Sequence, residues 1–375
     1  MNQQTHTSLR TPVHYVVWRS EPGGAELSVN HYIRHFGPRR AVHVYSLRAA
    51  ENELYDASKI HFQNGSDNDW QCYKLYYRYC RAHRGHLFHL MSTGPIILLI
   101  TLLAGVRLPV YHIHGTIYWK KPLKKLYLKT AWWLASRFRI HFVANSKYSA
   151  GIFRREVLPV VQPKVIYNGF DVDHFWQQRS LRRQARRLAY AGRLQPGKNV
   201  DLVLRLFDDL AGQYPELELH IAGEGALRPA LEQQARESRF GSRIHFHGWV
   251  RDVAAFYGSV DLFLFLSAYE SFGNVLSEAL LTGLPVLTSP VPVFEEIHGG
   301  EKDFLLGHPD QYPELLKQLQ QALRQFPSLA QKAFELGEQL KPVFDIENHL
   351  IEIERMYEQT ESTRHLLPLR SAEAV

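Results

Sequence analysis

Two glutamates eight positions apart, Glu270 and Glu278, bracket the start of a segment that reads ESFGNVLSEALLTGLP from Glu270 to Pro285. Carboxylates are good acceptors for sugar hydroxyl groups. The apolar run Val260 to Ser267 before them reads as a buried strand. After them Val275, Leu276, Ala279, Leu280 and Leu281 recur at helical spacing, and Gly283 and Pro285 are stop signals. A helix that starts near Gly273 leaves the backbone amides of Phe272, Gly273, Asn274, Val275 and Leu276 facing outward, where they favour an anion. At a rise of ~1.5 Å per residue the two carboxylates lie on the order of 10 Å apart, with that anion hole between them. A diphosphate in the middle, with a ribose at one end and a sugar at the other, matches the layout. Arg193 and Lys198 bracket a Gly/Pro loop after the strand Arg187 to Ala191. They could clamp the same diphosphate, Arg as a fork and Lys as a point charge. An ordinary strand–loop–helix with solvated side chains is the competing reading.

Other positions have chemical potential of lower specificity. Gly23 and Gly24 lie between the strand-like Val13 to Trp18 and a helical pattern, a phosphate-friendly corner without the spacing of a dinucleotide fingerprint. His114 ends the strand Pro109 to Ile113, on the edge where α/β sheets place ligands. His112-x-His114 and His245-x-His247 have ligand spacing, but no acidic or cysteine partner is near in sequence, so no metal is expected. Asp171-x-Asp173 suits a capping or turn role better than a metal site. Gly223-Glu224-Gly225 lacks the third glycine of a dinucleotide loop.

These positions must be held by a framework, and strands alternate with helices over nearly the whole chain, which indicates parallel sheets. A length of 375 residues exceeds what one core usually holds and predicts two domains. Cys72 and Cys80 fall within one helical pattern, where a disulfide does not fit, and no signal peptide is read ahead of them. A cytoplasmic protein is expected. The uncharged run Pro95 to Val106 is too short to span a bilayer and reads as a buried helix.

The net charge of +7 is unevenly distributed. Residues 1–178 carry 23 Lys and Arg against 10 Asp and Glu, and the remainder 21 against 27. A basic half suits an anionic surface. Within it, residues 118–140 predict a helix with an apolar face of Leu123, Leu126, Tyr127, Thr130, Trp133 and Leu134. The opposite face carries Lys121, Lys124, Lys125 and Lys129, with Leu128 and Trp132 among them. Lysines at a helix N-terminus oppose the macrodipole, so helix stability does not explain them. An anionic membrane surface does. No nucleic-acid motif accompanies the charge, and nucleic acid is not an expected partner.

Taken together, the residues resemble glycosyltransferase family 4, the retaining enzymes of GT-B fold. The resemblance rests on Gly23-Gly24-Ala25-Glu26, His114-Gly115, Tyr167-Asn168-Gly169, Gly192-Arg193-Leu194 with Lys198-Asn199, Gly223-Glu224-Gly225, Gly248, and Glu270-x7-Glu278 with Gly283-x-Pro285. It implies an α/β GT-B architecture, two Rossmann-like doubly wound parallel-sheet domains facing a cleft. An acceptor-binding domain over 1–178 would be joined by a C-terminal helix, 345–375, crossing back to it. A nucleotide-sugar-binding domain would occupy 179–344. The resemblance implies that Arg193 and Lys198 hold the donor diphosphate, aided by the amides from Phe272 to Leu276. Glu278 would bind the ribose, Glu270 the transferred sugar, and the region of Val250 the base. His114 would lie near the reacting sugar, and Gly23 and Gly24 near diphosphate and acceptor.

The implied activity is metal-independent retaining transfer of a sugar from a nucleoside diphosphate to a glycan or lipid-linked acceptor, in surface-polysaccharide or lipopolysaccharide synthesis. No cofactor is needed beyond that donor. The expected location is the cytoplasmic face of the membrane, bound peripherally through 118–140. Two other classes stay open. A sugar-nucleotide epimerase of the same fold would not need the basic aromatic helix, and a non-catalytic module would bind polyanions through the basic half.

Overall fold

The computed structural model describes residues 10–20, 24–49, 54–56, 58, 60–115 and 122–365. Its contacts divide the chain into two units, residues 1–167 with 349–375, and residues 168–348.

The first unit is built on seven parallel strands in the order β3-β2-β1-β4-β5-β6-β7. These are β1 Val13–Val17, β2 Val42–Ser46, β3 His61–Asn64, β4 Leu87–Met91, β5 Val110–Ile113, β6 His141–Ala144 and β7 Lys164–Val165. The central strands VHYVV and LFHLM are buried at every position. Such unbroken apolar runs are what a sheet covered on both faces requires. The connecting helices are α1 Gly24–Phe36, α2 Asp69–Ala82, α3 Pro95–Leu103, α4 Pro122–Ala135 and α5 Lys147–Ile152. A single π-turn, Phe153–Val157, follows α5. Cys72 and Cys80 are both buried and free, on α2.

Helix α4 reverses the expected orientation. Trp132, assigned to the basic face, is 2% exposed, and its ring meets Tyr111 and Phe153 edge-on at 5.0 Å. Ala131 and Ala135 bury beside it, completing a stripe at helical spacing with the half-buried Leu128. Tyr127, Trp133 and Leu134, assigned to the apolar face, are the exposed ones, Trp133 at 52%. Small alanines flanking one large ring pack closer to the sheet than the bulkier face would, which accounts for the reversal. Lys121 and the side chains of Leu123, Lys124, Lys125 and Leu126 lie outside the described residues, so the reversal is read from Tyr127 onward.

The second unit has five parallel strands in the order β10-β9-β8-β11-β12. They are β8 Arg187–Ala191, β9 Glu218–Ala222, β10 Ile244–Gly248, β11 Leu262–Phe265 and β12 Val286–Thr288. Around them run α6 Val172–Trp176, α7 Val200–Ala211, α8 Arg228–Glu237, α9 Val253–Ser259, α10 Asn274–Leu281, α11 Pro292–Ile297, α12 Tyr312–Arg324 and α13 Phe326–Phe344. The division falls after Tyr167 instead of 178, because Phe170 packs against Phe272 and Phe344. Asp171 caps α6 by accepting the His174 amide, the role expected of it. The arginine-rich stretch after it belongs to this unit. Buried Arg182 donates to the carbonyls of Ser180, Tyr257, Val260 and Thr282.

The last helix, α14 Ile346–His365, begins in the second unit and belongs to the first from His349. It continues past Tyr357, where the sequence pattern weakens, because Thr360 is fully buried and Arg40 pairs with Glu361 at 3.1 Å. Arg39 pairs with Glu354 at 2.9 Å. The Tyr357 hydroxyl donates to Tyr15 at 3.3 Å and lies 2.7 Å from His89 Nδ1. Truncating this buried ring leaves a cavity and two unpaired polar groups. Tyr357→Ala is therefore expected to destabilise the chain by about 3–5 kcal/mol in urea unfolding, against under about 0.5 kcal/mol for the exposed Leu103→Ala.

Candidate active site

In both sheets the strand order runs outward in two directions from a reversal, between β1 and β4 in one and between β8 and β11 in the other. Loops that leave the carboxyl ends of those neighbouring strands diverge to opposite sides and open a crevice, where α/β sheets bind ligands. The candidate donor residues of the second unit lie on these loops. Arg193 and Lys198 follow β8, and Glu270 follows β11.

The loop after β8 is fixed by close backbone approaches. Leu194 N–H donates to Glu224 O at 2.8 Å, and Ala268 N–H to Gly197 O at 2.8 Å. A Cβ on Gly223 would sit 1.9 Å from Gly192 O, so only glycine lets these two loops touch. Asn199 enters α7 in the left-handed region, φ +53°, and its side-chain amide donates to Leu266 O at 2.8 Å. The loops after β8 and β11 are thus joined by backbone and side chain. That junction brings Lys198 Nζ into an ion pair with Glu270 Oε1. Both side chains are mostly buried, whereas Arg193 is exposed. Tyr269, beside them, places its ring 6.0 Å from Lys198 Nζ.

Helix α10 starts where the sequence places it. Gly273, φ +86°, precedes it, a backbone angle that a β-carbon resists. One expected donor is withdrawn: Leu276 N–H is already bonded to Gly273 O at 3.0 Å, because the first turn tightens to i→i+3. Gly273, Asn274 and Val275 remain as the amides at the helix start. The Phe272 ring is buried core, stacked 6.3 Å from Phe170. The Asn274 side chain accepts from Asn168 Nδ2 at 2.7 Å.

Glu278 lies farther along α10 and accepts from the Tyr257 hydroxyl at 3.1 Å. Burial of its carboxyl raises its pKa to about 7, opposed in part by that hydrogen bond. Tyr257 is a partner that sequence reasoning missed, since it lies on another helix without a recognisable spacing. Val250 is half-buried just past β10, next to Trp249, which is 64% exposed and was not singled out either. An exposed tryptophan after a strand is a signal that could have found it.

In the first unit, His114 follows β5 on the carboxyl edge of the sheet. Its amide donates to Ser92 Oγ at 2.6 Å, and Ser92 itself holds a positive φ of 52°. Burial, and then His349, lower the His114 pKa to about 3, so the imidazole is neutral at neutral pH. Its Nε2 is buried and makes no hydrogen bond within the described residues. Behind it the His112 ring is 4.1 Å away, His112 Nδ1 lies 3.2 Å from His89 Nε2, and His89 reaches Tyr357. Gly24 opens α1 after β1, while Gly23 lies outside the described residues.

Two family models match the chain in tandem. The model Glycosyltransferase Family 4 covers residues 22–174, and Glycosyl transferases group 1 covers 173–335. The chain belongs to glycosyltransferase family 4. It is similar to an uncharacterized glycosyltransferase of Methanocaldococcus jannaschii, 30% identical over 37% of this chain and 39% of that protein. The O-antigen biosynthesis glycosyltransferase WclY of Escherichia coli is 26% identical over 37% of this chain and 41% of its own. The chain thus spans less than half the length of these curated relatives. Among solved structures, Anabaena HepE in complex with UDP superposes with a TM-score of 0.79 over 93% of this chain and 100% of its own, at 21% identity. The fold is the GT-B fold of the family.

A carboxyl whose pKa is raised on folding binds more protons in the native than in the unfolded chain, so stability falls as pH rises from about 4.5 to about 7. Glu278→Gln removes that penalty. Its melting temperature should exceed that of the parent by a few degrees at pH 8, with the difference shrinking at pH 5. A difference independent of pH would contradict a buried ionisable Glu278.

Proposed function

We propose that the protein is a retaining glycosyltransferase that moves a sugar from a nucleoside diphosphate, UDP in the simplest case, to a glycan or lipid-linked acceptor. The Lys198–Glu270 pair at the strand-order reversal carries this reading. A cation and a carboxylate sit together there, beside the exposed Arg193 and the start of α10. When the bond to the leaving diphosphate breaks, negative charge grows on its oxygens. Lys198, Arg193 and the amides of Gly273 to Val275 lower the energy of that charge from fixed positions. Glu270 accepts hydroxyls of the transferred sugar, and Glu278 those of the ribose. The base lies toward Val250 and Trp249. The first unit's own candidate is His114, neutral and with a buried nitrogen that makes no hydrogen bond among the described residues, at the carboxyl edge of its sheet. This leaving-group stabilisation supplies the main requirement of an oxocarbenium-like transition state without assigning a strong base. The UDP held by HepE and the O-antigen role of WclY support the donor and acceptor classes.

The membrane part of the proposal rests on the exposed side of α4 and the turn beyond it. Tyr127, Trp133, Leu134 and Phe138 are exposed there with Lys129, Arg137 and Arg139, and the Arg137 guanidinium lies 4.4 Å from the Trp133 ring. Aromatic and basic residues on one outer face suit the interface of an anionic cytoplasmic leaflet. Among the described residues no helix is long and apolar enough to cross a membrane.

Arg193→Ala and Lys198→Ala are each expected to lower turnover by about 10²–10³-fold, read as nucleoside diphosphate released from a donor panel with lipid-linked and soluble acceptors. Unchanged donor binding and turnover in both variants would remove the diphosphate assignment, and release of free sugar or epimer without acceptor would favour epimerase chemistry. In co-sedimentation with anionic vesicles at low salt the parent chain should pellet and be released as salt is raised. The doubly substituted Trp133→Ser, Phe138→Ser chain should stay largely in the supernatant. A parent chain that remains soluble would end the membrane proposal.

A further inference from the structure

Five histidines of the first unit gather at the end of its sheet opposite the carboxyl edge. His14, His43 and His61 stand side by side on β1, β2 and β3, paired directly in register. His83 and His86 approach from the turn between α2 and β4. The rings form a continuous group. Ring centroids are 4.2 Å apart for His14 and His43, 4.7 Å for His43 and His61, and 4.9 and 5.1 Å from His14 to His83 and His86. His14 is fully buried, and His43 and His86 are half-buried. Ligands of an α/β sheet bind at the other end of its strands, so sugar transfer gives this cluster no task.

His14 Nε2 and His86 Nδ1 share a hydrogen bond at 2.8 Å, and one nitrogen each of His14, His43 and His86 falls within 4.8 Å of the others, a convergence that one metal ion could replace. Three imidazoles around a tetrahedral zinc ion stand about 3.3 Å apart, given bonds of about 2.0–2.1 Å, so small side-chain rotations close the set. The other nitrogen of His14 is 2.5 Å from the Tyr79 hydroxyl. In the tautomer that donates Nδ1–H to Tyr79, the Nε2 lone pair points at the cluster, which is how second partners orient metal-binding histidines. An all-imidazole set suits zinc and its transition-metal neighbours and not magnesium or calcium, which take oxygen.

We infer that His14, His43 and His86 form a binding site for one divalent transition-metal ion, zinc in the first instance, oriented by Tyr79 and bordered by His61 and His83. The ion would tie β1 and β2 to the start of β4. The site lies at the end of its own sheet opposite His114 and does not depend on the proposed transfer activity.

The test uses the full chain without a histidine tag, treated with chelator and titrated with Zn²⁺ in millimolar Mg²⁺ by calorimetry. One ion per chain, a higher melting temperature with zinc, and imidazole scattering in X-ray absorption are expected. His43→Gln and His86→Gln should each weaken binding at least about tenfold, and Tyr79→Phe by less. The melting temperatures of the metal-free variants report whether they fold. A chain with His220→Gln and His245→Gln, which alters the histidine and glutamate group on β9 and β10, should bind as before. The inference fails if binding is not saturable, if X-ray absorption of the loaded parent chain lacks imidazole ligands, or if the His220 and His245 changes alone abolish binding.

Discussion

The reversal of strand order between β8 and β11 is the constraint on which the candidate site of the second unit depends. It sets two loops side by side that the sequence separates by more than seventy residues, and each loop then brings its own charge. Lys198 and Glu270 meet because Asn199 holds the β11 loop and Gly197 accepts from Ala268. Neither side chain would be stable alone in such a place, since a mostly buried charge without a partner is costly. Each is the partner that the other's charge requires.

The glycines serve that same constraint. Gly223 is required where the β9 loop reaches the Gly192 carbonyl, and Gly273 where the chain turns into α10 with a positive φ. Such positions explain why the second unit was readable from its residues. A strand, a glycine, a charged loop and a helix start are local patterns, and the strands and helices fall within a few residues of where hydropathy puts them. Glu278 is different. Its place on α10 was legible, but the burial that raises its pKa and the hydroxyl of Tyr257 come from tertiary packing, which no local spacing encodes.

Helix α4 failed for a related reason. Aromatic and aliphatic residues occur all around it, so periodicity alone cannot choose the buried side. The choice is made by Tyr111 and Phe153, which offer an edge-on pocket for Trp132. The histidines were hidden in the same manner, since attention to His-x-His pairs follows one strand, while His14, His43 and His61 are neighbours across three. Sheet register, more than sequence spacing, makes such a group.

The two boundaries at Tyr167 and His349 make the second unit an insertion in the first, and this has a consequence for synthesis. When the seventh strand of the first sheet leaves the ribosome, α14 has not been made. Tyr15 and His89 then lack the Tyr357 hydroxyl, and Arg40 lacks Glu361. At about 5–20 residues per second the missing helix follows roughly 10–40 s later, after the whole inserted unit has emerged. The second unit, continuous in sequence, can fold in that interval. The first must wait with an uncovered flank, which makes the nascent chain most exposed to aggregation and chaperone capture on the side that the final twenty-residue helix later seals.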